Sequence, residues 1–357
     1  MTKERIARIQ RELDKGEALL IASGANRLYF TGFESTAGRI LVTRDVACFL
    51  VDFRYFEKAK NTVVSCDVTL SSQAMWAEIK AFVEQHDVKR LYVETYSLSV
   101  SQMKQLTDMM PAIEVSADAK MDKVIEEMRA IKTAEEIDRI KAAQAMTEDT
   151  FTYILDRIEP GRSEIDVMLD MEFYMRRLGS EGVSFDFIVV SGKNSSLPHG
   201  VPSQKRIEKG DFLTMDFGAV VDGYHSDMTR TVAVGSVSDE QRLVYDTVLQ
   251  AQLAALDAVK AGVVCKDVDK VARDLINNAG FEGKFGHGLG HSLGIQIHED
   301  PRFNTTCETV LKSGMVMTVE PGIYLENQFG VRIEDMVVAT ETGHVNLTSA
   351  DKQLIIL

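Results

Sequence analysis

Gly210-Asp-Phe-Leu-Thr214-Met-Asp216-Phe-Gly218 has an echo further along the chain, Gly314-Met-Val-Met-Thr318-Val-Glu320-Pro-Gly322. In each run a glycine opens a strand-like segment, and a threonine and a carboxylate two residues later share one face. A second glycine then lets the backbone bend away. Two helical segments precede each run. Thr133 with Glu136 has the spacing of a capping box, and Ile137, Ile140, Phe151, Ile154 and Ile158 form a stripe that Pro160-Gly161 ends. A second helix is expected from near Ser163 to Gly179, followed by strand patterns from Phe185 to about Val234. The order then repeats, with helices expected from about Asp239 to Lys260 and Asp267 to Asn278, and strands from Phe285 to Thr340. Two helices and then strands, twice, implies an internal duplication.

Both halves continue into a returning strand with an acid of its own. Asp216 is followed by turn residues near Asp222-Gly223 and then Asp227; Glu320 is followed by a turn near Asn327 to Gly330 and then Glu334. Hairpins on those turns would set each pair of acids nearly opposite one another. Facing carboxylates repel unless something positive lies between them; the plainer reading is a solvated strand face. Four carboxylates carry a charge that two divalent ions balance and one does not. Acids with one imidazole and no thiolate suit Mn²⁺, Co²⁺, Fe²⁺ or Zn²⁺. Two such ions ~3.5–4 Å apart lower the pKa of water and polarise a carbonyl, which points to metal-assisted hydrolysis.

The imidazole comes from Gly286-His287-Gly-Leu-Gly290-His291-Ser-Leu-Gly294-Ile-Gln-Ile-His298. Its glycines would cost a helix roughly 1 kcal/mol each, whereas an extended path puts His287 and His291 on one face. The glycines read as places where backbone passes close to something bound; alone, the stretch could equally be a Gly-rich connection. It is not a dinucleotide fingerprint, because the glycine spacing fails at His291.

A net charge of −14 argues against a nucleic-acid partner. Cys48, Cys66, Cys265 and Cys307 are scattered and read as reduced thiols. Met1 to Lys15 reads as an amphipathic helix rather than a signal peptide, and no apolar run nears the ~20 residues of a membrane span. A cytoplasmic protein with no membrane partner is expected. Residues 1 to about 120 read as an α/β domain: a helical stripe at Ile6, Ile9 and Leu13, a strand at Ala18 to Ala22, and a hairpin of Arg39–Thr43 with Val46–Val51. A helix around Gln73 to Gln85 and a strand at Leu91 to Val93 follow. The charged, helical stretch from Lys120 to Arg129 reads as a linker.

The set Asp216, Asp227, His291, Glu320 and Glu334 resembles the metal ligands of the dinuclear pita-bread peptidases, the family of methionine aminopeptidase, aminopeptidase P and prolidase. Leu197-Pro-His199-Gly, Ser226-Asp-Met-Thr-Arg230-Thr, Val319-Glu-Pro-Gly322 and Val331-Arg-Ile-Glu-Asp335 are similar in particular to its Xaa-Pro branch. The resemblance implies an α+β pita-bread catalytic domain with pseudo-two-fold duplication at 123–357, after a smaller creatinase-type α/β domain at 1–122. It implies a peptidase cleaving before proline, of the aminopeptidase P or Xaa-Pro dipeptidase type. Two divalent ions, manganese foremost, small peptides with proline second, and a homodimer go with it. Asp216 would chelate one ion and His291 and Glu320 the other, with Asp227 and Glu334 bridging. Glu320 would also move the proton. His199, His287 and His298 would hold the substrate carbonyl and ends, and Arg332 would steady the carboxylates. Arg302 would dock a free C-terminal carboxylate, with a surface arginine as the alternative. Ser292 departs from the family glycine after the metal histidine. His225 reads as a packed or solvated neighbour, and Asp186, Glu299 and Asp335 as solvated or structural. The competing functions are an inactive binding protein and a non-metal amidinohydrolase of the creatinase type.

Overall fold

The computed structural model describes residues 1–72 and 74–357, in two compact units, Met1–Arg129 and Ala130–Leu357.

The first unit begins with α1 (Thr2–Glu12), whose Ile6 and Ile9 are buried, and β1 (Glu17–Ile21). Then come α2 (Gly24–Thr31), the hairpin of β2 (Arg39–Thr43) and β3 (Ala47–Val51), α3 (Phe53–Thr62) and β4 (Asp67–Leu70). It ends with α4 (Met75–Gln85), β5 (Arg90–Val93), α5 (Val100–Met109), β6 (Glu114–Ser116) and α6 (Lys120–Ala130). Gln73, the expected start of α4, lies outside the described residues. The strands form one mixed sheet in the order β4-β3-β2-β1-β5-β6. The charged stretch read as a linker is the helix α6, held by buried Met121, Ile125 and Met128.

The second unit contains the duplication. Its first repeat runs through α7 (Ala134–Leu155), α8 (Glu164–Arg177), β7 (Ile188–Ser191), β8 (Phe212–Phe217), the short pair β9 (Val220–Val221) and β10 (Tyr224–His225), and β11 (Met228–Ala233). Its second runs through α9 (Asp239–Ala258), α10 (Cys265–Ile276), β12 (Gly290–Ser292), β13 (Glu299–Phe303), β14 (Val316–Val319), the pair β15 (Gly322–Leu325) and β16 (Phe329–Arg332), β17 (Asp335–Ala339) and β18 (His344–Asn346). Capping boxes start α7 at Thr133–Glu136, α8 at Ser163–Asp166 and α9 at Ser238–Gln241, each satisfying otherwise orphaned backbone donors. The sheets are β11-β8-β7 and β13-β12-β14-β17-β18.

The repeats match down to backbone angles. Gly210 and Gly314, just before β8 and β14, have φ of 94° and 90°, a region that disfavours a side chain. Asp222 and Asn327, at the tips of the two small hairpins, have φ of 48° and 59°. In each repeat the helix pair covers its sheet. Val167, Met171 and Met175 of α8 pack with Val189, Leu213 and Met215, and Val268 and Ala272 of α10 pack with Met317, Val319 and Val337.

Two expectations are corrected. The histidine stretch is not one extended strand: only Gly290–Ser292 is, with a shift of register after His291, and turns surround it. Gly288 and Gly290 make room for protein backbone. A Cβ at Gly290 would collide with the Thr318 carbonyl and one at Gly288 would lie 2.7 Å from the Phe303 carbonyl oxygen, while Gly286 has open space. The acids of the first repeat are also offset rather than opposed: Asp216 faces Thr229 across the ladder, and Asp227 falls just before β11.

Candidate metal centre

β8 and β14 deliver Asp216 and lead into Glu320, while the returning strands bring Asp227 and Glu334 to the same place. β12 adds His291 from the side. All five line one cavity of about 790 Å³, together with His199, His287, His298, Arg302 and Arg332. Ligand atoms of Asp227, His291 and Glu334 lie within 4.8 Å of one another, and among the described residues this is the one such group of acids, histidines or cysteines. His291 Nε2 is 3.5 Å from both Asp227 Oδ2 and Glu320 Oε1.

The orientation of each group is set from behind. His291 Nδ1 lies 3.0 Å from the Ser292 carbonyl; donation there leaves Nε2 unprotonated and turned to the acids. The Thr318 hydroxyl accepts from the His291 amide at 3.0 Å and donates to Glu320 Oε1 at 3.1 Å, so the threonine of the repeated motif fixes an imidazole and a carboxylate together. Thr229 accepts from Arg332 Nε at 3.1 Å and donates to Glu334 Oε2 at 2.7 Å. Arg332 reaches Asp216 Oδ2 at 2.6 Å and the Tyr324 hydroxyl at 2.8 Å, and that hydroxyl sits 2.9 Å from His287 Nε2.

This crowding costs free energy that the protein atoms do not recover. Asp216 Oδ1 and Glu334 Oε1 are buried with no hydrogen-bond partner, and leaving a buried carboxyl oxygen unmatched is expensive. Burial raises the carboxyl groups of Asp227 and Glu334 well above their ordinary range, and the neighbouring acids add to it. Burial pushes Glu320 up to about 8, against the opposing pull of Arg332. Burial, with His298 adjoining, lowers His291 to about 3, and burial beside Arg332 lowers His287 to about 4, so both rings are neutral near pH 7. Arg332 stays charged, because Tyr324, Asp216 and Glu320 outweigh its burial. Unmatched carboxylate oxygens beside a neutral imidazole are a donor set that fits divalent cations.

The remaining expected residues fall into place around this centre. His199 and His298 are exposed in the cavity wall, the His298 ring 4.5 Å from that of His291. Arg302 faces His291 across the β12–β13 ladder, with its side chain 49 % exposed and Nε 3.6 Å from Asp300. His225 is outside the cavity lining, bonded to the Ser184 hydroxyl at 2.9 Å. Asp335 is structural, fully buried between Arg230 and Lys352. Glu299 is buried against Lys132 at 3.3 Å, and Asp186 is exposed at the cavity.

Sequence reasoning missed three supports. Tyr324 joins Arg332 to His287 through a hairpin register that no local pattern encodes. Lys132, buried, donates to Ser292 at 2.8 Å, so the residue standing in for the family glycine is hydrogen-bonded. Asp269 and Arg273, one turn apart on α10, hold the Leu289 amide and the Phe285 and His287 carbonyls at 2.7–3.0 Å; their i,i+4 spacing was the available signal.

The model of metallopeptidase family M24 matches residues 138–341, and that of the creatinase/prolidase N-terminal domain matches residues 5–131. An Xaa-Pro dipeptidase of Pyrococcus furiosus is 38 % identical over 99 % of this chain and 100 % of its own. The structure of an Xaa-Pro dipeptidase from Bacillus anthracis superposes with a TM-score of 0.96 at 39 % identity, covering 100 % of both chains. That of an X-Pro aminopeptidase from Thermotoga maritima gives 0.91 at 35 % identity and 99 % of both.

Proposed function

The chain belongs to metallopeptidase family M24, and from that membership we propose that it hydrolyses the peptide bond before proline in small Xaa-Pro peptides, with two divalent ions. Asp216 would hold one ion, His291 and Glu320 the other, and Asp227 and Glu334 both. When bound, such ions act as Lewis acids and bring the pKa of water towards neutrality. The observation that carries this reading is the pair of buried, unpartnered oxygens, Asp216 Oδ1 and Glu334 Oε1, in the cavity that also holds His291. The non-metal and binding-only alternatives leave those oxygens unexplained.

The chain's own groups then have defined tasks. Glu320, oriented by Thr318, takes a proton from water and returns it to the proline nitrogen as the C–N bond breaks, while the hydroxyl stays on the carbonyl carbon. That nitrogen has no N–H of its own in the peptide, so it leaves as an amine only if a proton is delivered. The neutral His287 can donate to or accept from a substrate group without carrying charge into the cavity. His199 and His298 hold the substrate carbonyl and ends, and Arg332 keeps Asp216 turned inward. The oxygen-rich donors favour manganese, and four free cysteines accord with the reducing cytoplasm. No helix among the described residues is long and apolar enough to cross a membrane.

The test is a panel of Xaa-Pro and Xaa-Pro-Yaa peptides, read alongside elemental analysis of the active protein. Cleavage before proline with two ions per chain is expected. Active protein holding one ion or none would overturn the dinuclear assignment, and no cleavage of any proline peptide would overturn the substrate class.

A further inference from the structure

We infer that Glu164 is a positioning residue that sets the loop bearing His199, and so tunes catalysis from behind the cavity wall. This rests on the proposed role of His199 in holding substrate. Glu164 is the first residue of α8 and is 0 % exposed. A carboxylate at a helix N-terminus meets the positive end of the helix dipole.

Its oxygens are surrounded by donors from the two ends of one loop. From the β7 end, Glu164 Oε1 accepts from the Ser191 amide at 2.6 Å and the Ser191 hydroxyl at 2.9 Å. From the far end, Oε2 accepts from the Ser203 amide at 3.0 Å and the Ser203 hydroxyl at 2.7 Å. Asn194 Nδ2 lies between, 3.1 and 3.2 Å from the two oxygens. The backbone repeats the closure, with Ile165 N donating to the Ser203 carbonyl at 3.2 Å. One carboxylate therefore pins residues 191 and 203 against the same helix end.

Between those pins the loop passes the cavity. His199 lines it, and the Pro198 carbonyl accepts from Arg332 Nη1 at 3.2 Å, the guanidinium that also holds Asp216. The Gly330 amide donates to the Ser195 hydroxyl at 2.9 Å. The loop is thus fixed at its base by Glu164 and near its crest by the second repeat. Glu164 itself does not line the cavity, so its influence passes through the loop residues that do, and among these His199 carries the group proposed to hold substrate.

The sensitive substitution is Glu164→Gln. It keeps size and shape but places an amide N–H₂ where every neighbour is a donor. The serine hydroxyls can rotate to accept; the backbone N–H groups cannot. One loop end is then released. The experiment is a double-mutant cycle with His199→Ala on Xaa-Pro peptides, together with amide hydrogen exchange over residues 192–203 and metal content. The expected result is a loss of about tenfold or more in kcat/KM for Glu164→Gln in the native background, and less than about twofold once His199 is already alanine, because residues acting through one another are non-additive. Exchange over 192–203 should quicken while metal content stays unchanged. Equal losses in both backgrounds, or unaltered exchange, would overturn the proposal by reducing Glu164 to a general support of the fold. If Glu164→Gln does not fold, Asn194→Ala removes one donor and carries the same cycle with the same criteria. An enzyme inactive on every proline peptide would count against the substrate reading, while the exchange measurement would still decide the clamp.

Discussion

Metal binding to this protein should release protons, and its affinity should climb with pH. Glu320 is pushed up to about 8 by burial, and burial also lifts Asp227 and Glu334 well above the usual carboxylate range. At pH 6 the ion-free site therefore holds protons that a cation must displace. Each unit below the Glu320 value lowers apparent affinity tenfold, equivalent to about 1.36 kcal/mol. From pH 8, where Glu320 is already half protonated, to pH 6 the loss is roughly 50-fold, or ~2.3 kcal/mol, from Glu320 alone. The other two acids steepen the slope. His291, lowered to about 3, adds nothing in this range. Calorimetric titration with Mn²⁺ in buffers of different ionisation enthalpy counts the protons directly. Stability of the ion-free protein should follow the opposite sense. A Glu320 carboxyl raised from 4.5 towards 8 stabilises below about pH 4.5, and that contribution fades as pH rises through about 8. Flat affinity between pH 6 and 8 with no proton released at pH 7 would refute the reasoning.

Glu320→Gln removes the proton acceptor and one charge while keeping the shape; kcat should fall by about 10²–10⁴ in protein that still carries metal, measured by single-turnover kinetics with parallel metal analysis. Arg302→Ala should lower kcat/KM on an Xaa-Pro dipeptide, whose proline carries a free carboxylate, and spare an Xaa-Pro-Yaa tripeptide. Since the arginine is about half exposed, the low end of a charge-assisted bond applies, roughly tenfold. Equal small effects on both peptides would make it an ordinary surface residue. Gly290→Ala forces a methyl into the Thr318 carbonyl, so thermal denaturation should show a loss of ~1–3 kcal/mol or more, and an unchanged melting temperature would contradict the packing.

The duplication was legible because it rests on local signals: glycines, a threonine and a carboxylate at period two, and helix pairs whose first start carries a capping box at Thr133–Glu136. The same periodicity placed Thr318 beside Glu320, and the two are bonded. The five proposed ligands stood out because the acids recur at equivalent places in the two halves and His291 sits in a glycine-rich stretch, against the plainer readings of a solvated strand face and a Gly-rich connection. The supports were not legible. Tyr324 meets Arg332 only through the pairing of Gly322 with Arg332, and Lys132 meets Glu299 from the far end of the unit. Such contacts depend on tertiary register rather than on sequence spacing. The glycine reading failed for a related cause: sequence shows that a Cβ is excluded, not what excludes it. At Gly290 the answer was the neighbouring strand.

The seam between the repeats has a consequence of its own. Glu334 N donates to the Thr229 carbonyl at 3.1 Å, Arg230 donates to the Glu334 carbonyl at 2.6 Å, and Thr231 and Arg332 exchange bonds at 3.0 and 3.3 Å. The cavity acids sit on this parting line, so each repeat is half of a mould. Asp216 and Asp227 come from one casting, His291, Glu320 and Glu334 from the other. Neither casting can be shortened, replaced or allowed to drift without its counterpart, and an enzyme cut at the boundary between them would have no hollow left to fill.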